Sequence, residues 1–278
     1  MAARPGAKPK VSKGEIYKSV VLRIFKKRYK RGQTSVSFSR ADIKAAAQQL
    51  GVDPKNVGDL VYTYRYRREL PAEIRAKAPK GQVWIIRGVG DALYRFDAVA
   101  EEYALIRPRA GLAATKVPDS TPGIIFKYAL GDEQALLARV RYNRLLDIFA
   151  GVASYPLQSH LRTNIKGIGQ TETDEVYVGI DARGAHYVFP VQAKGGSDNH
   201  SIVQIEQDFA MCRARFPDCI CRCVAAQFFD GDKIALFLFD VDGHGEAVIL
   251  REAHYRLVPT DQISEAELDS YRTLALES

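Results

Sequence analysis

The chain has 278 residues, enough for one large domain or two ordinary ones, and its 46% of hydrophobic residues argues against overall disorder. The net charge of +7 hides an asymmetry: residues 1–120 carry 25 Lys and Arg against 11 Asp and Glu, whereas residues 121–278 carry 15 against 22. A strongly basic first part is typical of a protein that binds a polyanion. The charges therefore predict two modules with different functions, and the basic one is expected to bind the polyanion.

Several classes of protein are disfavoured by what the sequence lacks. It contains no apolar run of membrane-spanning length, no secretory signal after its basic start, no G-x-x-x-x-G-K-[ST] loop and no G-x-S-x-G elbow. Cys219, Cys221 and Cys223 share one face of a predicted strand and lack the C-x-x-C spacing of zinc sites. We therefore expect buried thiols, a cytoplasmic protein and no membrane partner.

The first module is predicted to be a basic tail, residues 1–13, followed by a winged-helix-like α+β domain, residues 14–105. A helix is expected from Gly14 to about Tyr29. Ser39 can cap a second helix that ends at Gly51, and Pro54 can open a third. Two helices joined by a tight glycine turn form a helix-turn-helix pattern. Two strand-like runs, residues 82–86 and 92–96, then fit a wing.

In such a domain the helix after Pro54 is expected to enter the major groove of double-stranded DNA. Asn and Lys can contact base edges, whereas Arg and Tyr commonly contact phosphates. The candidate DNA-binding residues of this helix and its end are Lys55, Asn56, Tyr62, Arg65, Arg67 and Arg68. The alternative is a solvated helix in a protein-binding domain.

Residues 106–123, which are rich in Pro and Gly, are predicted to be a linker to a second domain, residues 124–278. A helix is expected from Asp132 to Phe149. The stretch from Tyr155 to Thr163 is predicted to be an edge strand, with Pro156 near its start. Gln158, His160 and Arg162 would share one face of that strand, where they either contact the DNA backbone or form a plain polar surface.

The second domain centres on a predicted hairpin. Its strands run from Asp174 to Ile180 and from Tyr187 to Val191, joined by a turn in which Gly184 is free to take a positive φ. Gln192 and Lys194 follow the second strand and, by its period of two, project to the same face. A lysine at the end of a buried strand needs an anionic partner, and Asp174 is a candidate.

These residues resemble the core of the PD-(D/E)xK nuclease superfamily, in which an Asp on one strand and a Glu-x-Lys on the next hold a divalent metal. Asp174 matches the Asp, Lys194 matches the Lys, and Gln192 stands where Glu is usual, as in the Gln-x-Lys variant of Mrr-like restriction enzymes. The resemblance implies an α/β fold with a restriction-endonuclease-like α/β/α core. It also implies Mg²⁺ held by Asp174, the Gln192 amide oxygen and a third acid, either Glu133 or Glu172.

The resemblance further implies a type II restriction endonuclease that cleaves double-stranded DNA at a specific sequence. Enzymes of this type often act as homodimers, so a homodimer is an expectation of the resemblance too. Gln204 is a further candidate, because a Gln on the helix after the lysine recurs in similar enzymes. Two other functions stay open: a DNA-binding regulator that has the fold without activity, and a nuclease selective for branched or damaged DNA. On the motif alone, a buried hairpin with an ion-paired lysine is also possible.

Overall fold

A computed structural model describes residues 12–52, 57–66, 68–128, 133–195 and 199–276. The protein is mixed α/β and divides into two compact units. The first unit comprises Met1–Ala104 with Lys166–Gly169, and the second comprises Leu105–Ile165 with Gln170–Ser278. None of the helices in the described ranges is both long and apolar enough to cross a bilayer.

The first unit combines helices with one small antiparallel sheet, in which β3 lies between β1 and β2. Its elements are α1 (Lys13–Arg28), β1 (Ser35–Ser39), α2 (Arg40–Gln49), α3 (Val57–Tyr66), α4 (Ala72–Arg75), β2 (Gln82–Gly90), β3 (Leu93–Ala100) and α5 (Glu101–Ala104).

Local sequence explains why these helices begin where they do. Ser12 and Glu15 form a capping box at α1, and Ser39 and Asp42 form one at α2, so the predicted cap at Ser39 is confirmed. Helix α1 packs its apolar stripe into a core shared with the sheet, where Phe25 contacts Trp84 and Phe96 edge-on. The first two predicted helices are confirmed as α1 and α2, and the two predicted strands at residues 82–86 and 92–96 are confirmed as β2 and β3.

The second unit is built on an eight-stranded mixed sheet with the order β5-β13-β12-β11-β8-β7-β6, in which β10 also pairs with β8. Its strands are β4 (Leu105–Ile106), β5 (Ala114–Pro118), β6 (Ala153–Ile165), β7 (Gly169–Ile180), β8 (His186–Lys194), β9 (His200–Ser201), β10 (Ile220–Cys221), β11 (Cys223–Phe229), β12 (Lys233–Val241) and β13 (Ala247–Val258). Its helices are α6 (Gly123–Tyr128), α7 (Glu133–Tyr142), α8 (Leu145–Ala150), α9 (Ile202–Arg215), the 3-10 helix η1 (Thr260–Gln262) and α10 (Glu265–Leu276).

Three successive strands, β6, β7 and β8, are neighbours in this sheet, and β6 is its edge, as predicted. Helix α9 then connects β8 to β11, which runs parallel to β8. Helices α7 and α8 pack on one face of these strands, where Leu136, Phe149, Tyr177 and Val191 share one core. The chain order is therefore helices, three strands, a helix and a parallel strand, with β8 central.

Two sequence predictions about this unit are wrong. Residues 106–123 are not simply a linker, because β5 within them pairs in parallel with β13. The predicted helix from Asp132 to Phe149 is two helices, since Arg144 has a φ of 50°. The cause is Asn143, whose buried side chain accepts a hydrogen bond from Ser120 N and donates to Thr121 Oγ1. These contacts hold the 119–121 loop against the end of α7 and interrupt the helix.

The positive φ at Arg144 predicts that glycine is better tolerated there than alanine. Both substitutions remove the Arg144–Asp147 ion pair of 2.6 Å, so their difference isolates the backbone. Glycine adopts this conformation without a Cβ penalty. We expect Arg144→Gly to be more stable than Arg144→Ala by about 1 kcal/mol, measured by urea unfolding. Equal stabilities, or a more stable alanine variant, would contradict the strain at this position.

Candidate active site

The predicted site residues lie where β7 begins and β8 ends. Lys194, the last residue of β8, is partly buried, and its Nζ lies 2.6 Å from Oε1 of Glu133, the first residue of α7. The lysine side chain is 14% exposed and that of the glutamate 41% exposed, so the pair opens to solvent on the glutamate side. The hydrogen-bonded anionic partner of Lys194 is therefore Glu133, whereas the sequence had suggested Asp174.

Asp174 lies beside this pair. Its Oδ2 accepts a hydrogen bond of 2.9 Å from the backbone N of Ala193, the residue that precedes Lys194. Burial raises the pKa of Asp174, the Ala193 hydrogen bond and the positive charge of Lys194 lower it, and the negative charge of Glu133 raises it again, with a net increase. A half-buried carboxylate of this kind, next to a second carboxylate, favours the binding of a cation.

The role of Gln192 as a metal ligand, which the resemblance implied, stays a prediction. Its side chain is buried and bonds to α9: Nε2 donates to Asp208 Oδ2 at 2.9 Å, and Oε1 accepts from Gln204 Nε2 at 3.2 Å. The amide also donates to Glu172 O at 3.1 Å. The amide oxygen that was expected to bind metal is thus engaged by Gln204, and Gln204 belongs to this buried network.

The two candidates for the third acid are separated by the structure. Glu172 pairs with Arg162 of the neighbouring strand β6, with 3.0 Å between Nη2 and Oε1. Glu133 instead contacts Lys194 and lies close enough to Asp174 to influence its pKa. Glu133, and not Glu172, is therefore the acid that accompanies Asp174 and Lys194.

Asp208 on α9 is a residue of this region that the sequence prediction missed. Its buried carboxylate accepts hydrogen bonds from Thr173 Oγ1 at 2.5 Å and from Gln192 Nε2 at 2.9 Å. Burial raises the pKa of Asp208 to about 7; both hydrogen bonds oppose the increase, and the charge of Asp174 adds to it. The i,i+4 spacing of Gln204 and Asp208 was the available signal, because it places both on one side of the helix.

The raised pKa of Asp208 predicts a stability that depends on pH. Because the folded-state pKa of about 7 lies above the unfolded value of about 3.9, the contribution of this group is fully present below about pH 4. It is lost as the pH rises through about 7, with a total change of about 4 kcal/mol in the free energy of unfolding.

The measurement is urea unfolding of the wild type and Asp208→Asn across this pH range. The difference between the two isolates Asp208 from all other carboxylates. The asparagine variant should gain relative stability as the pH rises, and parallel curves for the two proteins would exclude a raised pKa.

The candidate DNA contacts on β6 are exposed, but they do not form one regular face. Gln158 and Arg162 are exposed, and Arg162 is paired with Glu172. His160 has a φ of 50°, which interrupts the alternation of side chains, and its Nε2 lies 3.4 Å from Gln134 Nε2 on α7. The charge of His160 also lowers the pKa of Asp174, so this residue belongs to the surroundings of the site.

In the first unit, the candidates Lys55, Asn56 and Arg67 lie outside the described residues. Tyr62 and Tyr66 of α3 contact each other edge-on at 4.9 Å, and the Arg65 guanidinium lies over the Tyr66 ring at 5.1 Å. Arg65 Nε and Nη2 are buried and have no hydrogen-bond partner among the described residues. Arg68 is exposed. The described end of α3 is therefore rich in aromatic rings and guanidinium groups.

Within the described ranges, no three His, Cys, Asp or Glu side chains come together in an arrangement that could hold a metal ion. Asp174 and Glu133 are thus two carboxylates beside a lysine, and the part of the chain that the structure describes adds no third to them. No protein-family model, curated protein or solved structure matches this chain.

Proposed function

We propose that this protein is a Mg²⁺-dependent DNA endonuclease of restriction type. The observation that carries the proposal is the meeting of Lys194, Glu133 and Asp174 at the open end of β7 and β8. The PD-(D/E)xK resemblance implies the order helix, three strands, helix and strand. The second unit agrees with this order in α7 and α8, then β6 to β8, then α9, then β11.

The residues present fit Mg²⁺ with one change from the expected set. This ion commonly keeps several waters and binds one or two protein carboxylates together with substrate phosphate. Asp174 and Glu133 supply two carboxylates, and the net raised pKa of Asp174 indicates that its ionised form is not fully compensated by Lys194. Bound there, the ion would polarise a phosphoryl oxygen and make a coordinated water more acidic.

The chain's own residues have distinct roles in this proposal. Asp174 is held in orientation by the Ala193 amide, and Glu133 holds the ammonium group of Lys194. Lys194 stabilises the negative charge that grows on the scissile phosphate during attack by water. Since its ammonium group is a compact point charge with three N–H donors, it also orients the attacking water.

The first unit is proposed to be a winged-helix-like domain that supplies most phosphate contacts. Its order α1, β1, α2, α3, β2, β3 and its basic composition support this assignment. Tyr62, Arg65 and Arg68 of the described residues would contact DNA, and the acidic second unit would cleave it.

The experiment is incubation of the purified protein with large methylated and unmethylated DNAs in Mg²⁺, followed by sequencing of the fragment ends. A shared sequence at the ends supports a restriction activity. Cleavage of branched but not linear substrates would instead assign the same residues to a structure-selective nuclease. No cleavage of any substrate would reject the proposal.

Two observations favour a second candidate, a DNA-binding regulator without nuclease activity. The buried position of Gln192 and the lack of a third ligand among the described residues both weaken metal binding. This candidate predicts tight DNA binding without a metal requirement, and no effect of Lys194→Ala on regulation.

A further inference from the structure

The strands β7 and β8 are paired through their backbones along part of their length, but at the candidate active site they are joined through side chains. Backbone pairing of the two strands runs from Ile180 and His186 to Glu175 and Val191. Beyond that point, three links that involve side chains join the strand ends within the described residues. One is the hydrogen bond from Ala193 N to the Asp174 carboxylate, and a second runs directly from Gln192 Nε2 to Glu172 O at 3.1 Å. The third passes through Asp208 of α9.

In the link through Asp208, each of the two carboxylate oxygens accepts a hydrogen bond from a different strand. Oδ1 accepts from Thr173, the residue before Asp174 on β7, and Oδ2 accepts from Gln192, two residues before Lys194 on β8. All three side chains are buried, so neither bond competes with bulk solvent. A buried hydrogen-bonded bridge of this kind restricts how far the two strand ends can separate.

We propose that Asp208 is a positioning residue that sets the spacing between Asp174 and Lys194 by bridging Thr173 and Gln192. The bridge itself follows from the hydrogen bonds, whereas its consequence for DNA cleavage rests on the proposed function. Gln192, the Gln of the Gln-x-Lys sequence, thus connects β8, the strand that carries Lys194, to α9.

The chemistry of asparagine separates a bridging role from a role of the negative charge. An Asn at position 208 has one carbonyl oxygen and one NH₂ group. Its oxygen can accept from Gln192 Nε2, and its NH₂ can donate to the Thr173 hydroxyl, which then acts as acceptor. Asp208→Asn therefore keeps both links without the charge, and Asp208→Ala removes both. Thr173→Val removes only the hydrogen bond between Asp208 and β7, at nearly constant volume, and leaves the direct hydrogen bond from Gln192 to Glu172 O in place.

The direct reporter is hydrogen exchange of the Ala193 amide, whose proton lies in the bond to Asp174. We expect exchange at Ala193 to accelerate about tenfold in Thr173→Val and at least as much in Asp208→Ala, because a buried hydrogen bond is lost. Asp208→Asn should stay within about threefold of the wild type. Amides of Leu236 and Phe237 in β12, which pairs with β11 and β13, serve as internal references for global stability.

Two results would overturn the proposal. One is unchanged Ala193 exchange, relative to the references, in Thr173→Val and Asp208→Ala. The other is equal acceleration in Asp208→Asn and Asp208→Ala, which would assign the effect to the charge. If Asp208→Ala does not fold, Thr173→Val and Asp208→Asn decide the question.

Cleavage kinetics provide a second readout. If the wild type cleaves DNA, Thr173→Val should lower kcat about tenfold with KM unchanged, and Asp208→Asn should retain most of kcat. Equal loss of kcat in both variants would contradict the positioning role. If the wild type does not cleave any DNA, the proposed function fails, and the exchange experiment still decides whether Asp208 fixes the strand ends.

Discussion

Replacement of Lys194 by methionine should lower the rate of DNA cleavage by about a thousandfold, while DNA affinity stays within about threefold. Methionine keeps an unbranched side chain but removes the charge that would stabilise the phosphate during attack. The loss is expected to be large because Lys194 is only 14% exposed, so solvent screens its charge poorly. Affinity should be preserved, since the basic first unit is proposed to supply most phosphate contacts.

The measurement is single-turnover cleavage of a plasmid at saturating protein, with binding followed separately by fluorescence anisotropy. Lys233→Met is the matched control, because Lys233 also forms an ion pair of 2.6 Å on the same sheet, with the exposed Asp230. This control should cleave at the wild-type rate. Wild-type cleavage by Lys194→Met would remove Lys194 from the reaction.

The second large effect is expected at Glu133. Glu133→Gln should lower the cleavage rate about a hundredfold, whereas Glu172→Gln should leave it within about threefold. The reason is geometric: Glu133 contacts Lys194 and influences Asp174, while Glu172 is held by Arg162. Glutamine keeps the size of the side chain and removes the charge that Mg²⁺ and the ammonium group both require.

Cleavage rates across a series of Mg²⁺ concentrations test this prediction. Glu133→Gln should need more Mg²⁺ for its maximal rate, and Glu172→Gln should follow the wild-type curve. If Glu172→Gln lost more of the cleavage rate than Glu133→Gln, Glu172 would be the acid of the site, and the arrangement described above would be contradicted.

The sequence was a good guide to the elements that depend on local patterns. The presence of strands β7 and β8, the turn containing Gly184, and the capping box of Ser39 and Asp42 follow from residues close together in the chain. The strand at the sheet edge was predicted from local sequence as well, with Pro156 near its start. The ion pairing of Lys194 was also predictable, although its partner was not.

The features that the sequence did not reveal depend on distant residues. The break between α7 and α8 arises from contacts of Asn143 with residues 120 and 121, and β5 exists because it pairs with β13. Likewise, Gln192 bonds to Asp208, which lies 16 residues further on and reaches it only because α9 packs on the strand. A strand period fixes which side a residue faces, but not which polar group meets it there.

The most direct test of the proposed active site is cleavage of supercoiled plasmid by the wild type and Asp174→Asn, with Mg²⁺ or with EDTA, at equal DNA occupancy. The asparagine keeps the acceptor for the Ala193 amide and removes the carboxylate charge. We predict cleavage by the wild type in Mg²⁺ alone, and no cleavage by the variant or in EDTA. Undiminished cleavage by Asp174→Asn, or an inert wild type, would contradict a metal-dependent nuclease built on Asp174, Glu133 and Lys194.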